Sequence, residues 1–266
     1  FVVGKMTPSI VAIADNAFKD VRNVEKLTLP ENVKYIGDNA FEDSFITSLT
    51  ARGLVGIGNG AFRGCNYLKE VVVRGSGTSS TLLRIGAEAF RNNPELTAFE
   101  VPGSLLEIGA GAFSNCRTLA TLTFQPGGHS DCDIRKFAFH DCGALTNVDW
   151  GDGTNNIKSI GTAAFAMSSG IGNMTEFHFP QGVANAGTDA NPTPGYLKPG
   201  GGFLGDYILA GRGTLEKVYM PSSSWGRAQK VTLPEGTFIN CYNLGYVEFT
   251  DDGRFSCGYV EFGDRL

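Results

Sequence analysis

Apolar residues recur along the chain in two interleaved patterns, and neither has the period of a helix. The first is a hexapeptide that opens on Ile and closes on Ala–Phe. Ile36 to Phe41 reads IGDNAF, and six further versions end at Phe18, Phe62, Phe90, Phe113, Phe139 and Phe165. Successive phenylalanines lie 23, 21, 28, 23, 26 and 26 residues apart. The second pattern follows each hexapeptide: an apolar residue, then apolar positions three and five later, often closed by Pro. Val24–Leu27–Leu29–Pro30, Leu96–Phe99–Val101–Pro102 and Met174–Phe177–Phe179–Pro180 are examples. Its last two positions alternate inward and outward and favour β-branched and aromatic residues, which is strand spacing. Pro cannot donate to a ladder, so it ends the strand.

The hexapeptide then makes a short irregular or helical return, with Ile and the Ala–Phe pair pointing inward and Gly allowing a tight bend. One such unit cannot bury its own apolar side. Stacked units would join their strands into a parallel sheet and their phenylalanines into a continuous spine. The expected fold class is therefore a repeat solenoid with units of about 23 residues, forming a single domain over 1–266. Regular repeats occupy 10–180, and less regular repeats with long insertions occupy 181–266. In that last part PGGGF (199–203) reads as a poor hexapeptide and LPEGTF (233–238) as a fair one. The second GYVEF, at 258–262, reads as a final strand with Cys257 in the position that Leu244 holds one unit earlier.

The unit length lies within the leucine-rich-repeat range. The strings IGNGAFRGCNYLKEVVV and IGAGAFSNCRTLATLTF resemble the BspA-like leucine-rich repeats of bacterial surface proteins, over nearly the whole chain. The resemblance implies a secreted or cell-surface protein concerned with adhesion to host or partner proteins.

Composition narrows the partners. Of 266 residues 42% are hydrophobic, enough for a sizeable core, and 36 glycines without a collagen period point to many tight turns. A net charge of −5 gives no electrostatic footprint for nucleic acid or for an anionic membrane. No stretch approaches the roughly 18 apolar residues of a membrane span. The opening FVVGK reads as processed or trimmed.

Candidate chemistry is sparse. Cys65, Cys116, Cys142 and Cys241 each stand three residues after the repeat Phe, where other units carry Val21, Ser44, Asn93 or Ser168. That is the signature of a buried small-residue slot, so free thiols are expected rather than disulfides. Cys132 has no repeat role in this reading. His129, Cys132, His140 and Cys142 are the one grouping that resembles a metal site, and Cys142 belongs to the slot, so no metal and no cofactor is expected. The acidic turn 149–156 lacks the residue order of a calcium loop. Asn173 opens an N-x-T sequon, which matters only in a eukaryotic secretory pathway. His178, beside Glu176 on an exposed strand face, is the one plausible base on the sheet, but no nucleophile motif accompanies it. An enzyme is not expected, and a hydrolase using His178 is the weakest reading.

Binding residues are expected on the outward strand face, whose C-terminal half gathers His178, Tyr219, Tyr246, Glu248 and Tyr259. The insertions 75–81, 125–133, 151–156, 181–202 and 222–229 all follow a strand end, so they should line one edge. Trp225, a large apolar residue in one of them, either plugs the core or anchors a partner. The expected function is non-enzymatic recognition of a protein or glycan at a bacterial surface. The alternative is a structural or accessory subunit of an outer-membrane or surface assembly.

Overall fold

The computed structural model describes residues 11–74, 81–126, 131–151, 156–180, 203–220, 231–248 and 255–257. Among them the chain forms only strands and tight turns, so the return path is irregular and not helical. The second apolar pattern forms a series of longer strands: β2 (Lys26–Leu29), β4 (Ser48–Arg52), β6 (Glu70–Arg74), β8 (Ala98–Val101), β10 (Thr121–Phe124), β12 (Asn147–Asp149), β14 (Glu176–His178), β16 (Lys217–Tyr219) and β18 (Tyr246–Glu248). They pair in parallel as β2-β4-β6, β8-β10-β12 and β14-β16-β18, with inward Leu27, Leu49, Phe99, Leu122, Phe177 and Val218 buried.

The hexapeptide does more than return the chain. Its Ile closes a short strand in each unit: β1 (Ala12–Ile13), β3 (Tyr35–Ile36), β5 (Gly56–Ile57), β7 (Arg84–Ile85), β9 (Glu107–Ile108), β11 (Asp131–Ile134), β13 (Asn156–Ile160) and, one unit later, β15 (Phe203–Leu204). These eight form one continuous parallel sheet in chain order, and β17 (Val231–Leu233) pairs with β19 (Phe255–Cys257). The turn beyond Ile adds a third set of rungs. Phe41 N–H donates to the Ala61 carbonyl, Phe62 to Ala89, Phe90 to Ala112 and Phe113 to Ala138, at 2.7–2.8 Å. Most neighbouring units thus meet along three lines of backbone hydrogen bonds, the long-strand line being missing between β6 and β8 and between β12 and β14 and the short-strand line between β15 and β17; the bonds satisfy buried backbone groups that a loop would leave orphaned.

Two positions of each turn have left-handed backbone, except that the turn ending at Phe165 has only the first. The fourth hexapeptide residue is one, at Asn16, Asn39, Gly60, Glu88, Gly111, Phe137, Ala163, Tyr207 and Gly236. The second residue after Phe is the other, at Asp20, Asp43, Gly64, Asn92, Asn115, Asp141, Gly211 and Asn240. Asn, Asp and Gly tolerate this conformation best, which accounts for the composition of the second series. In the first series a large side chain leans over a small successor. A Cβ on Gly236 would stand 2.2 Å from the Tyr207 ring, and one on Gly60 would stand 2.4 Å from Asn39 Oδ1.

The spine forms as the spacing predicts. Phe18, Phe41, Phe62, Phe90, Phe113, Phe139 and Phe165 stack in sequence, with centroids 5.1–5.3 Å apart and planes within 13° of parallel. That separation is the offset-stacked geometry which aromatic quadrupoles prefer.

Four assignments made from the sequence change. The eighth hexapeptide is not PGGGF but Leu204–Leu209, LGDYIL: Leu204 pairs with Ile160, and Leu209 is buried in the place of Phe. Cys257 pairs with Leu233, at the start of a hexapeptide, and not with the Leu244 position. Cys132 has a repeat role after all, buried in a lengthened β11 beside Ile157 of β13. Ser168 leaves the slot and is exposed, because residues 168–173 make an excursion before Met174 rejoins the core.

Candidate functional site

The slot three residues after Phe has a physical rationale that covers Cys, Asn and one unforeseen residue. In each case the side chain brings a donor to the carbonyl of the preceding unit's spine residue. Cys65 donates to Phe41 O (3.1 Å), Asn93 to Phe62 O (2.9 Å), Cys116 to Phe90 O (3.1 Å), Cys142 to Phe113 O (3.2 Å) and Cys241 to Leu209 O (3.2 Å). After the excursion the slot is filled by Arg212, which is fully buried. Its Nε donates to Phe165 O (2.6 Å) and its Nη1 to Cys142 O (3.4 Å), so one long side chain reaches back over the unit that lost its donor. Burial lowers the Arg212 guanidinium to about 10. Its place in the chain, three residues after Leu209, is the signal that could have found it.

The same burial makes the thiols inert, since thiolate is the reactive form. It pushes Cys65, Cys142 and Cys241 up to about 12, and Cys116 and Cys132 also well up. All five are free. In the native protein these five should resist a thiol reagent at neutral pH and should all react after unfolding in guanidinium. Rapid labelling of the native chain would contradict the buried slot. Among the described residues no group of His, Cys, Asp and Glu is arranged to hold a metal ion, and His129 lies outside them.

Among the described residues one Ser–His–Asp grouping stands at the excursion. His140 Nδ1 lies 3.2 Å from Asp141 Oδ2, and His140 Nε2 lies 3.4 Å from Ser168 Oγ. In a working triad the hydroxyl and the carboxylate sit at opposite ends of the imidazole. Here they touch. Ser168 Oγ donates to Asp141 Oδ2 at 3.0 Å, and the Ser168 N–H donates to Oδ1 at 2.6 Å. The hydroxyl proton is committed to the carboxylate, and the Asp holds the chain where it leaves the slot.

The strand face offers a different arrangement. The register aligns Glu176 with Lys217 and Tyr246 in one outward row, and His178 with Tyr219 and Glu248 in the next. Four residues named from the sequence, His178, Tyr219, Tyr246 and Glu248, therefore meet on neighbouring strands. The His178 and Tyr219 rings stack face to face, with centroids 4.2 Å apart and planes 8° from parallel. Tyr246 is tilted against Tyr219 at 5.9 Å. The Tyr246 hydroxyl donates to Glu248 Oε2 (3.1 Å), a bond that raises the phenol above its ordinary range. Lys217 Nζ donates to Glu176 Oε1 at 2.7 Å, which lowers the carboxyl and raises the amine. Beneath the face, the Trp150 indole N–H donates to the His178 carbonyl (2.6 Å) and anchors the strand end. Trp225 and Tyr259 lie outside the described residues, as do most of the insertions. In the chain these insertions fall between the end of a long strand and the next short one.

Residues 5–82 and 83–190 match the BspA type leucine rich repeat region, in six copies. No curated protein matches the chain. Among solved structures, a leucine-rich repeat protein from Bacteroides ovatus is similar at 18% identity and a TM-score of 0.53, over 95% of this chain and 56% of that one. The leucine-rich repeat protein of T. pallidum is similar at 21% identity and a TM-score of 0.51, over 91% of this chain and 86% of that one. The chain thus spans little more than half the length of the Bacteroides ovatus protein.

Proposed function

The chain belongs to the BspA-type leucine-rich repeat family, and from that premise we propose that it is a non-enzymatic binding protein of the bacterial cell surface. It engages a protein or glycan through the outward face of β14, β16 and β18 and the loop edge beside it. The observation that carries this reading is the meeting of His178, Tyr219, Tyr246 and Glu248 on exposed, adjacent strands. Aromatic side chains on a rigid sheet contribute large contact area with little ordering entropy, which is what interface hot spots require. Surface location rests on the family, and the closed hydrogen bonds around Ser168 support a role without catalysis.

The test is capture of partners from surface extracts of the source bacterium or its host, with mass spectrometry. Tyr219→Ala combined with Tyr246→Ala should abolish capture and leave the melting temperature within a few degrees, because both side chains point away from the core. Capture unaffected by the double substitution would place the contact elsewhere. A stoichiometric complex that survives it would make the chain an accessory subunit of a surface assembly.

A further inference from the structure

The strand face is electrically bipolar. On β2, β4 and β6 and the residue before each strand, Lys26, Arg52, Lys69 and Arg74 outnumber Glu25 and Glu70, four cations to two carboxylates. On the six strands from β8 to β18, counted in the same way, Glu100, Asp149, Glu176, Glu216 and Glu248 face a single cation, Lys217. Of those five carboxylates only Glu176 has a lysine or arginine partner among the described residues. Asp149 stands in the unit before His178, Glu248 in the unit after Tyr219, and exposed Glu216 directly precedes β16.

The orientation of the rings decides between ligand classes. Neighbouring strands are about 4.8 Å apart. Rings on adjacent strands that stack face to face at 4.2 Å must therefore stand upright on the sheet. His178 and Tyr219 give their faces to each other and project their edges and polar atoms into solvent. A sugar lying flat over His178 and Tyr219 finds no ring face to stack on. An extended peptide finds hydrogen-bonding edges between carboxylates.

We propose that the C-terminal half of this face, from Glu100 to Glu248, takes an extended cationic segment of a protein partner. The assignment rests on the binding role proposed above and gives that site its ligand class. Lysine or arginine side chains meet Asp149, Glu216 and Glu248, and their stems lie along the upright edges of His178 and Tyr219. Like-charge repulsion from Arg52 and Arg74 confines the segment to the acidic half and sets where it stops.

A fluorescein-labelled oligolysine serves as the probe, titrated by anisotropy at low and at physiological salt. Binding should weaken as salt rises, because exposed charges are screened within about 8–10 Å. Asp149→Asn with Glu248→Gln keeps both acceptor geometries and should weaken binding about five- to tenfold. Asp20→Asn with Glu31→Gln removes the same charge elsewhere and should leave affinity unchanged. Equal weakening by both pairs would mean that the probe reads net charge alone, and it would overturn the proposal. No binding of the probe, with Tyr219-dependent capture intact, would overturn the cationic class while the binding face stood. Loss of both would remove the face as well.

Discussion

Phe113→Ala is expected to destabilise the protein by about 3–5 kcal/mol, measured by urea denaturation. Phe113 is fully buried, with Phe90 at 5.1 Å and Phe139 at 5.3 Å on its two faces and Phe99 tilted against it at 4.7 Å. Truncation opens a gap between two rings that cannot close on each other, since each is fixed by its own backbone rungs. Phe18→Ala provides the comparison. Among the described residues Phe18 stacks on Phe41 alone, and it is only half-buried, so its loss should cost well under half as much. Equal effects at the two positions would mean that the rings do not act as a stack.

Gly109→Val should be at least as damaging, above about 3 kcal/mol, and should prevent recovery of soluble protein at ordinary growth temperature. A Cβ there would lie 2.4 Å from the carbonyl carbon of Gly86 and 2.5 Å from the nitrogen of Ala87, and backbone cannot move aside as a side chain can. The neighbouring Gly111 separates the two reasons for a glycine. It has a φ of +61°, but the nearest atom to a Cβ is 3.6 Å away. Gly111→Ala should therefore cost only about 1–2 kcal/mol, the penalty of left-handed backbone. If Gly109→Val proved no worse than Gly111→Ala, the close approach of successive units would be wrong.

The sequence carried the long strands and the spine because both rest on alternation and exact repetition. Leu27 and Leu29 go in while Lys26 and Thr28 go out, and seven phenylalanines mark one column. It did not carry the short strands, since most of them have two residues, too few to show a period. It hid the eighth unit because the letters changed while the requirement did not. Leu209 replaces Phe, but Gly205 remains where a Cβ would come within 2.2 Å of the Thr162 nitrogen. Arg212 was hidden by its charge, since arginine is rarely buried. Of the candidate site, alternation alone put His178, Tyr219, Tyr246 and Glu248 on the outward face. That His178 and Tyr219 stack follows from the register of strands 41 residues apart in the chain, which the intervening insertion conceals. The upright pose of their rings has no sequence signature at all.

From Asn39 onward, large and small residues alternate in the left-handed turn series, and this constrains how such a chain can grow. Asn39 leans over Gly60, Glu88 over Gly111 and Tyr207 over Gly236. Excising the unit around Gly236 and abutting Tyr207 against another bulky residue would set two side chains in one place. Duplicating the unit around Tyr207 alone would do the same. At Tyr207–Gly236, where a Cβ would meet the ring at 2.2 Å, the two units should therefore tolerate duplication or loss only together. Separating them should yield a chain that misfolds although every unit in it is sound.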